Sequence, residues 1–377
     1  MRWQFVASLG FLLVVSTSSL QAQQAPNPEP PATVKPAGKE PTLNLGGLIQ
    51  AQAEFGDRGD TRFSNGNDRI YLRRARLTAT GHFLESFDFR LELDLSGSLA
   101  ATSNLRAQLT DGFIQWNRYP AAQVRVGQAK TPFGYEQLVP DAKLPSIERS
   151  FANDRLTSGR QVGVQLLGDL ADKRLSYQVG AFNGNGVNSS SNDDERFLLA
   201  GRVTGVVWKG KAFGQPASWS VGGNALRSTD ESVSQAPEFG FDSTPTTPDR
   251  DNLFAGKRSA WGVDQQLQLG RFGLWFEYLR ARFEPRNNRP ADKLDSDGGY
   301  LQATYGVIPD RLELLLKVET FDPRRSVDGD DTQTLTAGGS WFFKGHDLKL
   351  IANVLSTQGP RNTKDQTKLL LRLQTVF

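Results

Sequence analysis

Arg74 and Arg76 stand two residues apart in the string Tyr71-Leu-Arg-Arg-Ala-Arg-Leu-Thr-Ala-Thr-Gly81. On an extended chain, residues two apart share a face. Guanidinium groups offer planar, forked donors that suit phosphate and other oxyanions. Several cations on one face of a confined, water-filled space would raise the local anion concentration. Arg90, Arg125, Arg202, Lys349 and Arg372 sit at matching positions of other alternating segments. So do Asp88, Glu92, Asp94, Asp111, Glu277, Glu313 and Glu319. Two readings stay open: the arginines attract anions, or they pair with neighbours such as Asp88, Glu92 and Asp94. Covalent chemistry has little to work with. The sequence holds two histidines, His82 and His346, and no cysteine. It has no nucleophile-elbow string, metal-ligand cluster or phosphate-cradling glycine loop. No cofactor and no metal are therefore expected.

The elements carrying these residues alternate with a period of two. Phe87, Phe89, Leu91, Leu93 and Leu95 interleave with Asp88, Arg90, Glu92, Asp94 and Ser96. Leu312, Leu314, Leu316 and Val318 interleave with Glu313, Leu315, Lys317 and Glu319, and the pattern recurs over Leu348–Leu355 and Leu369–Phe377. From Leu43 onward about sixteen such segments can be counted, and helical periodicity is missing beyond a turn or two. Short connections such as Leu84-Glu85-Ser86, Gly270-Arg271 and Lys344-Gly345-His346 separate some of them. Long polar ones, Gly56–Asp68, Asn183–Glu195, Thr229–Ser259, Glu284–Gly298 and Asp322–Asp331, separate others. Small residues on the first segment, Gly46, Gly47, Ala51 and Ala53, suit close contact with another copy.

Composition narrows the class. Residues 1–22 read as a secretory leader: Arg2, an apolar stretch from Phe5 to Val15, then small and polar residues ending at Leu20-Gln21-Ala22. Residues 23–42 form a Pro-, Ala- and Gln-rich linker without core-forming residues. The chain has 377 residues, 37 Gly and 23 Phe, with a formal charge of +3 and a mean hydropathy of −0.45. Near-neutrality without clustered bases argues against a nucleic-acid partner. Low hydropathy with many aromatics suits a membrane barrel, in which only alternate residues meet lipid. Aromatics near segment ends, among them Phe113, Trp116, Phe182, Trp219, Trp261, Trp275, Tyr278, Trp341 and Phe342, suit its two interfacial girdles.

The final segment, ending on Phe377, resembles the closing strand of bacterial outer-membrane barrels, whose terminal aromatic is read by the barrel-assembly machinery. Val126-Gly-Gln-Ala-Lys-Thr-Pro-Phe-Gly-Tyr-Glu136 is similar to a string of the phosphate-selective porin O and P family. So are Tyr71–Gly81, Ser146–Ser150, Gly159–Gly163, Ala181–Gly186 and Thr336–His346. The resemblance spans 43–377. It implies an all-β, transmembrane antiparallel barrel of about sixteen strands, set among outer-membrane lipid as a homotrimer and passing small anions. Pro132 breaks the alternation, and the stretch to Asp154 carries Pro140 and Pro145. That stretch is either one more external loop or, as the resemblance favours, a constriction involving Lys130, Pro132, Phe133, Gly134, Glu136 and Arg149. The family's lysine cluster has no counterpart here, so phosphate is expected as one anion among several. A non-selective porin and an outer-membrane hydrolase are the alternatives.

Overall fold

The computed structural model describes residues 40–63, 68–96, 107–192, 194–241, 253–286, 293–360 and 364–377. The expected leader, and the expected linker up to residue 39, lie outside the described residues. The strands run β1 (Thr42–Gly56), β2 (Arg69–Phe83), β3 (Phe87–Asp94), β4 (Gln108–Tyr119), β5 (Ala122–Lys130), β6 (Arg160–Leu170), β7 (Leu175–Phe182) and β8 (Leu198–Ala212). They continue as β9 (Gln215–Ser234), β10 (Leu253–Leu269), β11 (Phe272–Pro285), β12 (Leu294–Ile308), β13 (Leu312–Asp322), β14 (Thr332–Lys344), β15 (Leu348–Gln358) and β16 (Gln366–Val376).

Each strand pairs antiparallel with its sequence neighbours, and β1 closes on β16. Closure leaves no sheet edge, so the backbone groups of every strand are paired inside the ring, which a hydrocarbon surround requires. The seam runs in register from Leu48 opposite Val376 to Gly56 opposite Lys368. Just past it, the Gly47 N–H donates to the Phe377 carbonyl at 2.8 Å and the Phe377 N–H to Gly47 at 3.2 Å. A Cβ on Gly47 would sit 2.5 Å from the Phe377 ring. Gly47 thus makes room for the Phe377 side chain.

The alternation sorts the two faces. Leu91, Leu314, Leu316, Val318, Leu350, Val354, Leu373 and Phe377 are exposed on the outside, whereas Asp88, Glu92, Lys317, Lys349 and Arg372 are buried within. Strict alternation fails at several register shifts, among them one in β4 at Thr110 and one in β2. The β1–β2 register shifts between Gln50 and Ala51, which lie opposite Arg74 and Leu72, so Arg73 is an extra residue in β2. This bulge turns both Arg73 and Arg74 inward. Several expected girdle aromatics also face in: Phe182, Trp275 and Phe342 are buried, and Phe113 lies under the Arg125 guanidinium. Trp219, Trp261, Trp341 and Phe343 do face out.

Short turns join the strand ends on the rim that also carries the seam's Phe377. Leu84 and Glu85 adopt φ of 49° and 60° there, a tight turn that matches strand twist. The connection expected over Thr229–Ser259 is shorter than its sequence suggests, because β9 continues to Ser234 and β10 starts at Leu253.

The longest described connection, residues 131–159, folds into the ring. It carries α1 (Tyr135–Leu138) and α2 (Phe151–Leu156). Phe133, Tyr135, Val139 and Ile147 are fully buried on it. Phe133, Phe151 and Leu156 join Phe182, Phe239, Phe241, Phe254, Phe283 and Phe321 in one apolar cluster. The interior on the β7–β13 side is therefore packed, which corrects the simple picture of an open lumen in a barrel of this size.

Candidate functional site

The inward segment is held to the wall by polar contacts around the ring. Glu277 of β11 accepts the backbone N–H groups of Tyr135 and Glu136, at 2.5 and 3.2 Å, and the Asn153 side-chain amide at 3.1 Å. Lys317 Nζ of β13 meets Glu136 Oε1 at 2.7 Å, both about 1% exposed. Asn353 of β15 accepts the Ile147 N–H, and Lys349 donates to the Leu144 carbonyl. On β16, Arg372 donates to the Ile147 carbonyl and to Glu148, and Gln374 donates to the Ala142 carbonyl. Gly134 makes the entry bend at φ 82°, where a Cβ would lie 2.6 Å from the Thr157 methyl.

Two carboxylates of the segment face the arginines of β2. Asp141 is 2.6 Å from Arg76, 2.7 Å from Arg149 and 3.2 Å from Arg74. Glu148 bonds Arg73 at 3.0 Å and Arg372 at 2.6 Å. Burial alone would raise the Asp141 carboxyl, but Arg149, Arg74 and Arg76 outweigh it and hold the group well below the usual carboxylate range. Glu148 is likewise pulled down, against its burial, by Arg73, Arg372 and Arg74. Both stay ionised, so segment and wall are joined by charge at ordinary pH.

Open space remains beside β2–β6. A cavity of about 300 Å³ is lined there by Arg76, Arg90, Lys130 and Arg160, with Glu92, Asp111 and Asp141 and backbone near Gly46 and Phe377. A smaller one, sharing Asp111 and Lys130, reaches Arg125. Arg90 meets Glu92 at 2.6 Å and Asp111 at 3.3 Å, and Arg160 meets Asp111 at 2.7 Å. Arg76 also holds Asp94 at 2.9 Å. Arg125 donates to Gln115 at 2.9 Å, and Lys130 donates to the carbonyls of Leu138 and Val139.

Of the six arginines expected to line the passage, Arg76, Arg90 and Arg125 border this open space. The other three do not: Arg74, Arg202 and Arg372 are only 6%, 3% and 1% exposed. Arg74 and Arg372 lie beneath the inward segment and anchor it. Arg202 forms a two-bond pair with Asp264 on the packed side, at 2.5 and 2.8 Å. Among the expected constriction residues, Lys130 faces the cavity, whereas Phe133 and Glu136 are sealed against the far wall. Pro132 and Gly134 shape the entry, and Arg149 braces the segment through the carbonyls of Glu136 and Val139. Arg160, Arg73, Asp141 and Glu148 were not among the sequence candidates. Arg160 opens β6 inside the quoted Gly159–Gly163 string and could have been read from it; Arg73 could not, because a bulge reverses its face. His82 Nδ1 pairs with Asp88 at 2.9 Å, with no hydroxyl partner on Nε2 among the described residues.

Comparison with known proteins agrees with this architecture. Residues 43–377 match the family described as phosphate-selective porin O and P. Porin O of Pseudomonas aeruginosa is 22% identical over 356 residues, covering 87% of this chain and 77% of the relative. The fold is similar to the anion-selective porin from Comamonas acidovorans, with TM-score 0.62 and 13% identity over 90% of this chain and all of that one. It is also similar to OmpT of Vibrio cholerae in its trimer form, with TM-score 0.59 and 12% identity over 89% and 99%.

Proposed function

Since the chain belongs to the phosphate-selective porin O and P family and is a porin of the bacterial outer membrane, we propose that its passage runs beside β2–β6 and favours small anions. The observation that carries this is the composition of the open wall. Arg76, Arg90, Arg125, Lys130 and Arg160 face Glu92, Asp111 and Asp141, so cations are in excess. The excess is modest, and Arg76, Arg90 and Arg160 each already hold a carboxylate. Phosphate entering the passage must compete with those carboxylates. The wall therefore supports a general anion preference, with phosphate among the anions carried.

Transport is passive and involves no catalysis. Residues 1–22 serve as the leader, 23–42 as a periplasmic linker and 43–377 as the barrel, which assembles as a homotrimer with Phe377 as the signal to the assembly machinery. The trimer form of OmpT, a fold relative, supports that assembly. Reversal potentials of single channels in potassium chloride and potassium phosphate gradients test the reading. A potential on the anion side in both, with comparable permeabilities, is expected. Cation selectivity would overturn the anion preference and leave a general porin.

A further inference from the structure

The outer face of β9–β12 carries a charged patch that transport does not use. On the rim of long connections, the apolar face of these strands ends at Trp261 and Tyr278, whose rings are 5.6 Å apart. The next outward residues are charged. Arg280 lies opposite Trp261, and Arg282 lies opposite Ser259. Arg227 stands on the other side of Ser259, and Lys257 comes two residues further along β10. Arg227 and Lys257 are exposed, with no ion pair described for either. Arg282, Arg286, Lys293 and Arg325 have side chains 44–70% exposed. Each of these four pairs along the outside, with Asp295, Glu231, Glu284 and Asp297 respectively, so the basic excess of the face rests on Arg227 and Lys257. The Tyr278 hydroxyl itself donates to Asp297 at 2.7 Å, so aromatic girdle and charge touch.

Depth identifies what this patch meets. At ~3.4 Å per residue, Lys257 is about 14 Å along the strand from Trp261. With strands tilted by roughly 40°, that is about 10 Å above the girdle, in the headgroup layer and its edge. β9 is halfway round the ring from the β1–β16 seam. Guanidinium forks at headgroup depth bind phosphate bidentately.

We propose that this face of β9–β12 binds the phosphorylated headgroup of the glycolipid in the outer leaflet, with Arg227, Lys257 and Arg282 as its principal contacts. Unlike the passage cations, these side chains lie outside the barrel, so the site would anchor or orient the porin without touching the permeating ion.

The test uses the folded full chain in detergent, with diphosphoryl lipid A as the probe and bound lipid counted by native mass spectrometry. Dephosphorylated lipid A and inorganic phosphate form the comparison arms. The wild type should bind the diphosphoryl form at least tenfold more tightly than the dephosphorylated form. Arg227→Gln with Lys257→Gln should lose about that factor while leaving single-channel conductance unchanged, and Arg282→Gln should lose part of it. Equal binding of the two lipids, or undiminished binding by the double variant, would overturn the proposal. So would displacement of the lipid by millimolar phosphate, which would mark a free-anion site. A change in oligomer size in the double variant would assign the face to contact between copies and equally overturn it. If the double variant does not fold, the comparison of the two lipids on the wild type still decides.

Discussion

Asp141→Asn isolates the electrostatic reasoning. Asp141 borders the open cavity and touches three guanidiniums, yet the inward segment keeps its anchors at Glu277, Lys317, Asn353 and Arg372. Arg76 keeps Asp94, Arg74 keeps Gln50, and Arg149 keeps two carbonyls. The substitution should therefore change charge more than shape. A cavity of about 300 Å³ places a centred ion ~6 Å from the lost charge. With an effective dielectric constant of ~40, Coulomb's law gives roughly 1.4 kcal/mol. Screening over a Debye length of ~10 Å at 0.1 M leaves about 0.8 kcal/mol, favouring an anion and opposing a cation. The anion-to-cation permeability ratio should rise roughly tenfold at 0.1 M. At 1 M, where the Debye length is ~3 Å, the rise should shrink to about twofold. Reversal potentials of single channels in potassium chloride gradients at the two mean concentrations give both numbers. An unchanged ratio at 0.1 M, or the same shift at both concentrations, would refute the idea that the permeating ion senses this wall. Acid should not mimic the substitution between pH 7 and 4, because Asp141 is held ionised well below the usual range.

Lys317→Met should lower stability by about 3–5 kcal/mol, because it strands Glu136 in a buried site; adding Glu136→Gln should recover much of the loss. Urea titrations of the refolded barrel check this, and equal costs for single and double variants would count against the pair as an anchor. Glu148 has a folded pKa below its unfolded value, so the stability it contributes is present above the ordinary Glu range and is lost only as pH falls through the depressed value. Open-channel noise should accordingly stay flat from pH 7 to 5, and a rise in noise there would contradict the charge-locked segment. Deleting Phe377 removes two backbone hydrogen bonds to Gly47 and the ring beside it. The yield of folded barrel should fall several-fold, while the ion selectivity of the channels that do form stays at the wild-type value; normal yield would remove Phe377 from the assembly role.

Much of the fold was legible because a strand's period is fixed by covalent geometry. Leu314, Leu316 and Val318 against Glu313, Lys317 and Glu319 needed no tertiary knowledge to sort, nor did Leu369–Phe377. The break at Pro132 likewise marked where a strand must end. The site was less legible. Arg372 matched the other inward cations in its alternation, yet it is spent on the Ile147 carbonyl and Glu148, more than 200 residues away in sequence. Arg202 read as a passage residue and is buried against Asp264.

The sequence by itself determined most of the strands and which side chains share a face along each, since these follow from local alternation; the leader, the terminal Phe377 and the aromatics, not the alternation, pointed to lipid on the apolar side. Only the tertiary structure decided which cations border the open space beside β2–β6. That depends on where residues 131–159 dock and on a single bulge that turns Arg73 inward. Both are set by contacts between residues far apart in the chain, whose free energies no local pattern encodes.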